Sequence, residues 1–281
     1  MLIDDFEASR QAAGTTDATL DGYRAAWAEL ARWYEAANAR APDPAALTSL
    51  DLAEWRRSLA ARLQPSSVNT RLRQLKAILA WAVHEGVIAE NPARNLRPVP
   101  QEEGPVKTLS RKTMAALLRE ARRDGRTRDY ALMTVLAQTG LRIDEALALT
   151  WEDIKIGERS GSVTVRHGKG GKRRTVPLTL TARQALIEWR TAQGDGAERV
   201  FPVGARAVQK ALHRYSRRAG LEDRVTPHMF RHTFCKALVD AGESLDRVAA
   251  LAGHARLDTT ARYTKPTVTD LEKAVAKLEW I

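Results

Sequence analysis

Four short stretches of this sequence bring arginine, lysine, histidine and tyrosine to spacings that put them on shared faces. In Thr139-Gly140-Leu141-Arg142-Ile143-Asp144-Glu145-Ala146, Gly140 can end one helix and Arg142 then opens the next. Glu145, three residues on, shares its face. A surface Arg–Glu pair accounts for that stretch equally well. Between 166 and 174, five of nine residues are Arg or Lys, set around Gly168, Gly170 and Gly171. Such a tip fits a nucleic-acid groove, or it is a solvated turn. In Thr226-Pro227-His228-Met229-Phe230-Arg231-His232, the proline suits a first helical turn. His228 and Arg231 then face the same way, one turn apart, and His232 faces elsewhere. The last stretch runs from Leu251 through Gly253, His254 and Asp258 to Tyr263. Gly253 ends a helix there, Asp258 or Thr259 starts a short one, and a lone tyrosine on it is more often a packing residue than a nucleophile.

Each stretch alone has an ordinary explanation. Together they supply two arginines, two histidines, a lysine and a tyrosine. No HExxH metal spacing and no GxxxxGK[ST] phosphate loop accompanies them. Cations in that number suit chemistry on a phosphodiester, where they neutralise the charge developing on the non-bridging oxygens. A tyrosine attacks phosphorus once its proton is removed.

The elements that must position these groups follow from periodicity. Residues 17–38 read as an amphipathic helix carrying Leu20, Tyr23, Trp27, Leu30 and Trp33 or Tyr34 on one side. A second helix opens at Ser49-Leu50-Asp51 and runs through Leu63. A third, capped by Pro65-Ser66-Ser67, buries Val68, Leu72, Leu75, Ile78, Leu79 and Ala82 and shows Arg71, Arg73 and Lys76 on its other face. A short helix around Ile3 to Ser9 precedes them, and Glu90-Asn91-Pro92 closes the set. Residues 94–108 hold Pro98, Pro100, Gly104 and Pro105 and lose all periodicity, so they read as a linker between domains at 1–93 and 109–281. Beyond it, Ser110 is placed to cap a helix running to about Arg123, and another covers 127–139. Residues 162–178 read as a β-hairpin with β-branched arms. The expected class is therefore mainly α, with a small antiparallel sheet in the second domain.

Composition narrows the function classes. The 281 residues carry 45 Lys+Arg against 34 Asp+Glu, a net charge of +11. That excess is segregated: residues 1–52 hold 4 basic and 9 acidic side chains, and residues 53–97 hold 8 basic and 3 acidic. Segregated basic charge is the footprint of a nucleic-acid partner. A single cysteine, Cys235, excludes a disulfide framework and any cysteine-based zinc site. No stretch approaches the roughly 18 apolar residues of a membrane span, and the start of the chain lacks the apolar core of a secretory signal. A cytoplasmic protein is expected.

The order of the four stretches resembles the tyrosine recombinases, the phage integrase family, and among them the short Xer-like members. The matching blocks are TGLRIDEAL around Arg142, HGKGGKRRTVPL around Lys169, TPHMFRHTF around His228 and Arg231, and LAGHARLDTTARYT around His254 and Tyr263. The resemblance implies a helical core-binding domain, a SAM-like four-helix bundle, followed by the α-rich catalytic domain of the tyrosine recombinase fold. It implies a catalytic set of Arg142, Lys169, His228, Arg231, His254 and Tyr263, with Glu145 orienting the cations. In that scheme Tyr263 attacks the scissile phosphate to give a 3′-phosphotyrosyl link and a free 5′-hydroxyl. Arg142 and Arg231 hold the non-bridging oxygens, and Lys169, or Lys172 beside it, protonates the leaving oxygen. Arg71, Arg73, Lys76, Lys172, Arg173 and Arg174 are the expected further DNA contacts. Asp144 stands where related members often carry serine. The resemblance further implies a double-stranded DNA recombination site as partner, no metal, ATP or other cofactor, and a homotetramer on two sites. A related recombinase or an accessory protein is a further possible partner. Residues 267–281, with Leu271, Val275, Leu278 and Ile281 at helical spacing, would dock on a neighbouring subunit. Dimer resolution, cointegrate resolution and element integration or excision all use this chemistry. A DNA-binding protein that has lost catalysis and a type IB topoisomerase are the competing readings.

Overall fold

The structure is a computed structural model; it describes residues 2–101, 104, 106–166, 173–254, 257–265, 271–272 and 275–276. The chain divides into two compact units, residues 1–103 and 104–281.

The first unit holds α1 (Leu2–Ala12), α2 (Asp17–Asn38), α3 (Ser49–Ala60) and α4 (Pro65–His84). All six apolar positions expected to face inward on α4 are buried. Val68, Leu72, Leu75, Leu79 and Ala82 pack with Leu30 and Tyr34 of α2 and with Leu52, Trp55 and Leu59 of α3. Tyr34, not Trp33, is the residue of that pair which turns fully inward. The cap of α3 is Thr48: its side chain accepts from Asp51 N while the Asp51 carboxylate accepts from Thr48 N at 2.9 Å, a capping box. Serine caps were expected on α4; instead Gln64 precedes a helix whose first residue is Pro65, and no side chain caps it. The chain after α4 stays on this unit well into the proline-containing stretch. Asn69 donates to the Val99 carbonyl at 2.9 Å and accepts from Val99 N at 2.8 Å, and Leu96 is buried in the same core. The proline signals mark an irregular path, but residues 94–99 are tied to α4 rather than spanning free.

The second unit holds α5 (Arg111–Arg123), α6 (Thr127–Thr139), α7 (Ile143–Leu147), α8 (Leu180–Gln193), α9 (Ala205–Arg218), α10 (Pro227–Asp240), α11 (Leu245–Ala252) and α12 (Asp258–Ala261). Its sheet runs β1 (Ile154–Ile156), β2 (Gly161–Val165) and β3 (Arg174–Pro177), all antiparallel. The hairpin arms pair Val163 with Val176 and Val165 with Arg174. β1, which the sequence reading omitted, adds Ile154 opposite Val163. Ser110 caps α5 as expected, accepting from Thr113 N at 3.0 Å. The core gathers Leu132 and Leu136 of α6, Val163 and Val176 of the sheet, and Phe201, Tyr215 and Phe230. A smaller cluster of Cys235, Val248, Ala252 and Tyr263 lies beside it, under α10 and α11. Among the described residues, no helix is long and apolar enough to cross a membrane.

Candidate active site

Gly140 begins the site. It ends α6 in the left-handed conformation, with φ of 63°, which a glycine adopts without steric cost. The chain then turns through Leu141 and enters α7 with Arg142 at its N-cap. The carboxylate of Glu145 closes that turn. One oxygen accepts from Arg142 N at 2.8 Å and the other accepts from Arg142 Nη1 at 2.9 Å. Arg142 Nη2 reaches the Gly253 carbonyl at 3.4 Å, at the far end of α11.

Glu145 has a second guanidinium partner. Arg174 Nη1 and Nη2 donate to its two carboxylate oxygens at 2.9 and 2.7 Å, and Arg174 Nε donates to the Leu251 carbonyl at 3.0 Å. All three nitrogens of Arg174 are therefore engaged inside the protein. Arg174, expected among the DNA contacts, forms an internal tie joining β3, α7 and α11. Burial pushes the Glu145 carboxyl up, but the hydrogen bonds from Arg174 and from the Arg142 backbone, with both positive charges, outweigh it and hold the group below its ordinary range. Arg166, at the other arm of the hairpin, is also paired, with Asp153 and with Glu152. Two of the five cations counted between 166 and 174 are thus neutralised locally.

Arg231 enters from α10. Its side chain is buried, and Nη1 donates to the Gly140 carbonyl at 2.6 Å. Nη2 is buried and has no hydrogen-bond partner among the described residues. Burial, and next the charge of Arg142, pull Arg231 down to about 10, so it stays charged at neutral pH. Buried charged donors are normally satisfied. An unpaired N–H beside two other arginines and one carboxylate is a donor that an anion would satisfy.

Two imidazoles and a phenol complete the arrangement. His254 follows Gly253, whose left-handed φ of 69° ends α11, and its Nδ1 shares a hydrogen bond of 2.8 Å with Thr260 Oγ1. Tyr263, just past α12, is only 2% exposed. Its ring stacks near His254, with centroids 6.2 Å apart. The phenol shares a 2.7 Å hydrogen bond with His232 Nδ1. Spacing along α10 turns His232 away from the site; the structure brings it to the phenol, because Tyr263 comes from the turn after α12, on that side of α10. Burial, then Arg262, brings His232 down to about 4. Burial, then Arg231 and Arg142, does the same for His254. Both are neutral at physiological pH. Burial, followed by the adjoining Cys235 thiol, pushes the Tyr263 phenol far up. His228 sits at the exposed start of α10, its ring 6.4 Å from that of His232.

Lys169 and Lys172 lie outside the described residues. Arg173 is exposed just before β3. On the first unit, Arg71 is held by Glu29 at 2.9 Å and by Gln74. Arg73 is exposed and Lys76 half-buried on the same helix. Of the terminal apolar face, Leu271 and Val275 are exposed, and Leu278 and Ile281 lie outside the described residues.

Comparison with known proteins gives the same answer from a different direction. Residues 107–269 match the phage integrase family. The chain is 34% identical over 276 residues to tyrosine recombinase XerC of Xylella fastidiosa (strain 9a5c), covering 94% of this chain and 91% of that protein. Two solved structures share the fold. One is XerH site-specific recombinase bound to its difH substrate after cleavage, with a TM-score of 0.70, 23% identity and coverage of 83% and 73%. The other is the Tn1549 transposon integrase with circular-intermediate DNA, with a TM-score of 0.74, 21% identity and coverage of 98% and 99%. The chain therefore belongs to the phage integrase family: it is a tyrosine recombinase, an enzyme that breaks and rejoins DNA strands.

Proposed function

We propose that Tyr263 is the nucleophile of a site-specific recombination reaction and that Arg142 and Arg231 bind the scissile phosphate. The observation that carries this reading is the unpaired, buried Nη2 of Arg231, set among Arg142, Arg174 and the single carboxylate of Glu145. The cluster has more positive than negative charge, and a phosphodiester restores the balance. Two guanidinium forks suit the non-bridging oxygens, which gain charge as phosphorus becomes five-coordinate. His254 and His228 hydrogen-bond the same oxygens, and Glu145 fixes the Arg142 fork. Lys169, with Lys172 as the alternative, delivers a proton to the departing 5′-oxygen. The phosphotyrosyl bond conserves the energy of the broken ester, so religation needs neither ATP nor a metal.

The first unit acts as the core-binding domain, with Arg73 and Lys76 toward DNA. A homotetramer on two recombination sites carries out strand exchange, and residues 267–281 dock on a neighbouring subunit. The protein works in the cytoplasm.

A nicked DNA substrate that traps the covalent intermediate tests the assignment. Wild type should form a protein–DNA adduct in the presence of EDTA, and Tyr263→Phe should form none. An adduct from Tyr263→Phe overturns the nucleophile, and loss of the wild-type adduct with EDTA overturns the metal-free route. Relaxation of supercoiled plasmid without any preferred site would favour the topoisomerase reading.

A further inference from the structure

The phosphate-binding groups leave one step without an agent: removal of the Tyr263 proton. The phenol is buried and its acidity is suppressed by that burial, so spontaneous ionisation at neutral pH is negligible. The nucleophile needs a base within hydrogen-bond reach. His228, proposed above to hydrogen-bond the phosphate, lies at the exposed start of α10 with its ring 6.4 Å from that of His232. Two side chains touch the phenol: the Cys235 thiol, whose own acidity burial suppresses so that it stays protonated, and His232, whose Nδ1 is 2.7 Å from Tyr263 Oη.

We propose that His232 is the general base that activates Tyr263. In the reactive tautomer Nδ1 carries a lone pair and Nε2 the proton. As the Tyr263 oxygen bonds to phosphorus, the O–H bond breaks and its proton passes to His232 Nδ1, giving an imidazolium. The P–O5′ bond breaks and the 5′-oxygen takes a proton from the leaving-group acid. In religation a 5′-hydroxyl attacks phosphorus and gives its proton to the former leaving-group acid, the P–O bond to Tyr263 breaks, and the imidazolium returns the proton to the departing Tyr263 oxygen. One residue thus serves both directions.

The surroundings keep His232 in the form this role requires. Facing it are Arg231 and His228 on its own helix, Arg262 and Tyr263 from the segment after α12, and His254 across the phenol ring. No carboxylate is among these groups. An imidazole so placed stays neutral and free to accept. The imidazolium formed during attack sits beside a phosphate whose negative charge is growing, which offsets the neighbouring cations. Sequence spacing hid this role: His232 follows Arg231 directly and so points about 100° away from it around the helix, toward the side on which Tyr263 packs.

The proposal rests on Tyr263 as nucleophile, and its test keeps the two apart. Adduct formation on the nicked substrate is followed in single turnover between pH 6 and 9 for wild type, His232→Gln and His232→Ala, each checked by thermal melting. Gln preserves a polar side chain that accepts a hydrogen bond but takes up no proton. Both variants should be slower by about 10²–10⁴-fold at neutral pH, and their rates relative to wild type should climb about tenfold per pH unit as phenolate replaces the missing base. Added imidazole should restore part of the His232→Ala rate. A His232→Gln rate near wild type, or a slow rate that runs parallel to wild type with pH and ignores imidazole, overturns the base assignment and leaves Tyr263 in place. Failure of wild type itself to form an adduct would overturn both.

Discussion

Arg174 and Glu145 face each other fork to fork, two nitrogens on two carboxylate oxygens at 2.9 and 2.7 Å, across 29 residues of sequence. The pair is nearly dry, with side-chain exposures of 11% and 5%. Because the same carboxylate also holds Arg142, the rotamer of the arginine proposed to bind phosphate depends on a residue at the foot of the basic hairpin. Arg174 further bonds the Leu251 carbonyl, two residues before Gly253, so the turn that delivers His254 is referenced to the same point.

Removal of Arg174 should therefore be costly in two ways. Arg174→Ala leaves a buried carboxylate with one partner in place of two, and breaking a buried pair costs about 3–5 kcal/mol; the surviving contact with Arg142 places the loss near the lower end. Arg174→Lys keeps the charge but cannot match both oxygens at once, so it should retain most of the stability and still lose covalent-adduct rate. Urea denaturation and single-turnover trapping on the same preparations check this. An Arg174→Lys protein with full stability and full rate would contradict the positioning role.

Arg231 should show the opposite balance between stability and activity. Its Nη2 is buried without a partner, and a charge held that way contributes little to folding. Arg231→Met fills similar volume without the charge and leaves only the Gly140 carbonyl unpaired, at about 1–3 kcal/mol. Its melting curve should stay within that range of wild type, while adduct formation drops by about 10²–10³-fold or more. Phosphate or sulfate should raise the wild-type melting temperature at matched ionic strength, by the equivalent of about 2.7 kcal/mol at 100 times the dissociation constant. Arg231→Met should lose that response.

Much of this was legible before any coordinates, and the limits have physical causes. The inward face of α4 follows from spacing alone, because 3.6-residue periodicity records which side meets a core. Gly140 and Gly253 announced two helix ends, because few other residues adopt positive φ at low cost. Contacts made at long range left no such trace. Nothing local in Arg174 tells a DNA-facing arginine from one paired with Glu145. Spacing within α10 alone turns His232 away from Arg231, and its partner Tyr263 arrives from the turn after α12. β1 is three residues long and is defined by its pairing to β2, so no periodicity existed to find.

Acid should weaken the fold through two half-buried imidazoles. His232 and His254 sit near 4 in the folded protein and near 6.5 when unfolded. Between those values the unfolded chain binds more protons, so stability rises with pH through the window and is lost as pH falls from about 6.5 toward 4. Glu145 is held below its ordinary range, so its contribution fades only at the acid end. The melting temperature at pH 5 should thus lie below that at pH 7.5. The double variant His232→Gln with His254→Gln should flatten this dependence between pH 5 and 6.5. An unchanged slope would mean the histidines are not the groups that take up the protons.

Gly140 offers a sharper test of how backbone geometry reaches the chemistry. Its φ of 63° is left-handed, and an added Cβ would lie 2.3 Å from Phe234 Cδ1. Gly220 has a similar φ of 67°, but nothing lies within 4 Å of its added Cβ. Gly220→Ala should therefore cost only the backbone strain, about 1–2 kcal/mol. Gly140→Ala carries that strain plus displacement of the Phe234 ring, and should exceed it by at least about 1 kcal/mol. The effect should also reach activity, because the Gly140 carbonyl is the acceptor for Arg231 Nη1 at 2.6 Å. Adduct formation by folded Gly140→Ala should fall well below that of Gly220→Ala measured at equal folded fraction. Equal rates would show that the position of Arg231 is set by its packing on α10 and not by the turn that ends α6.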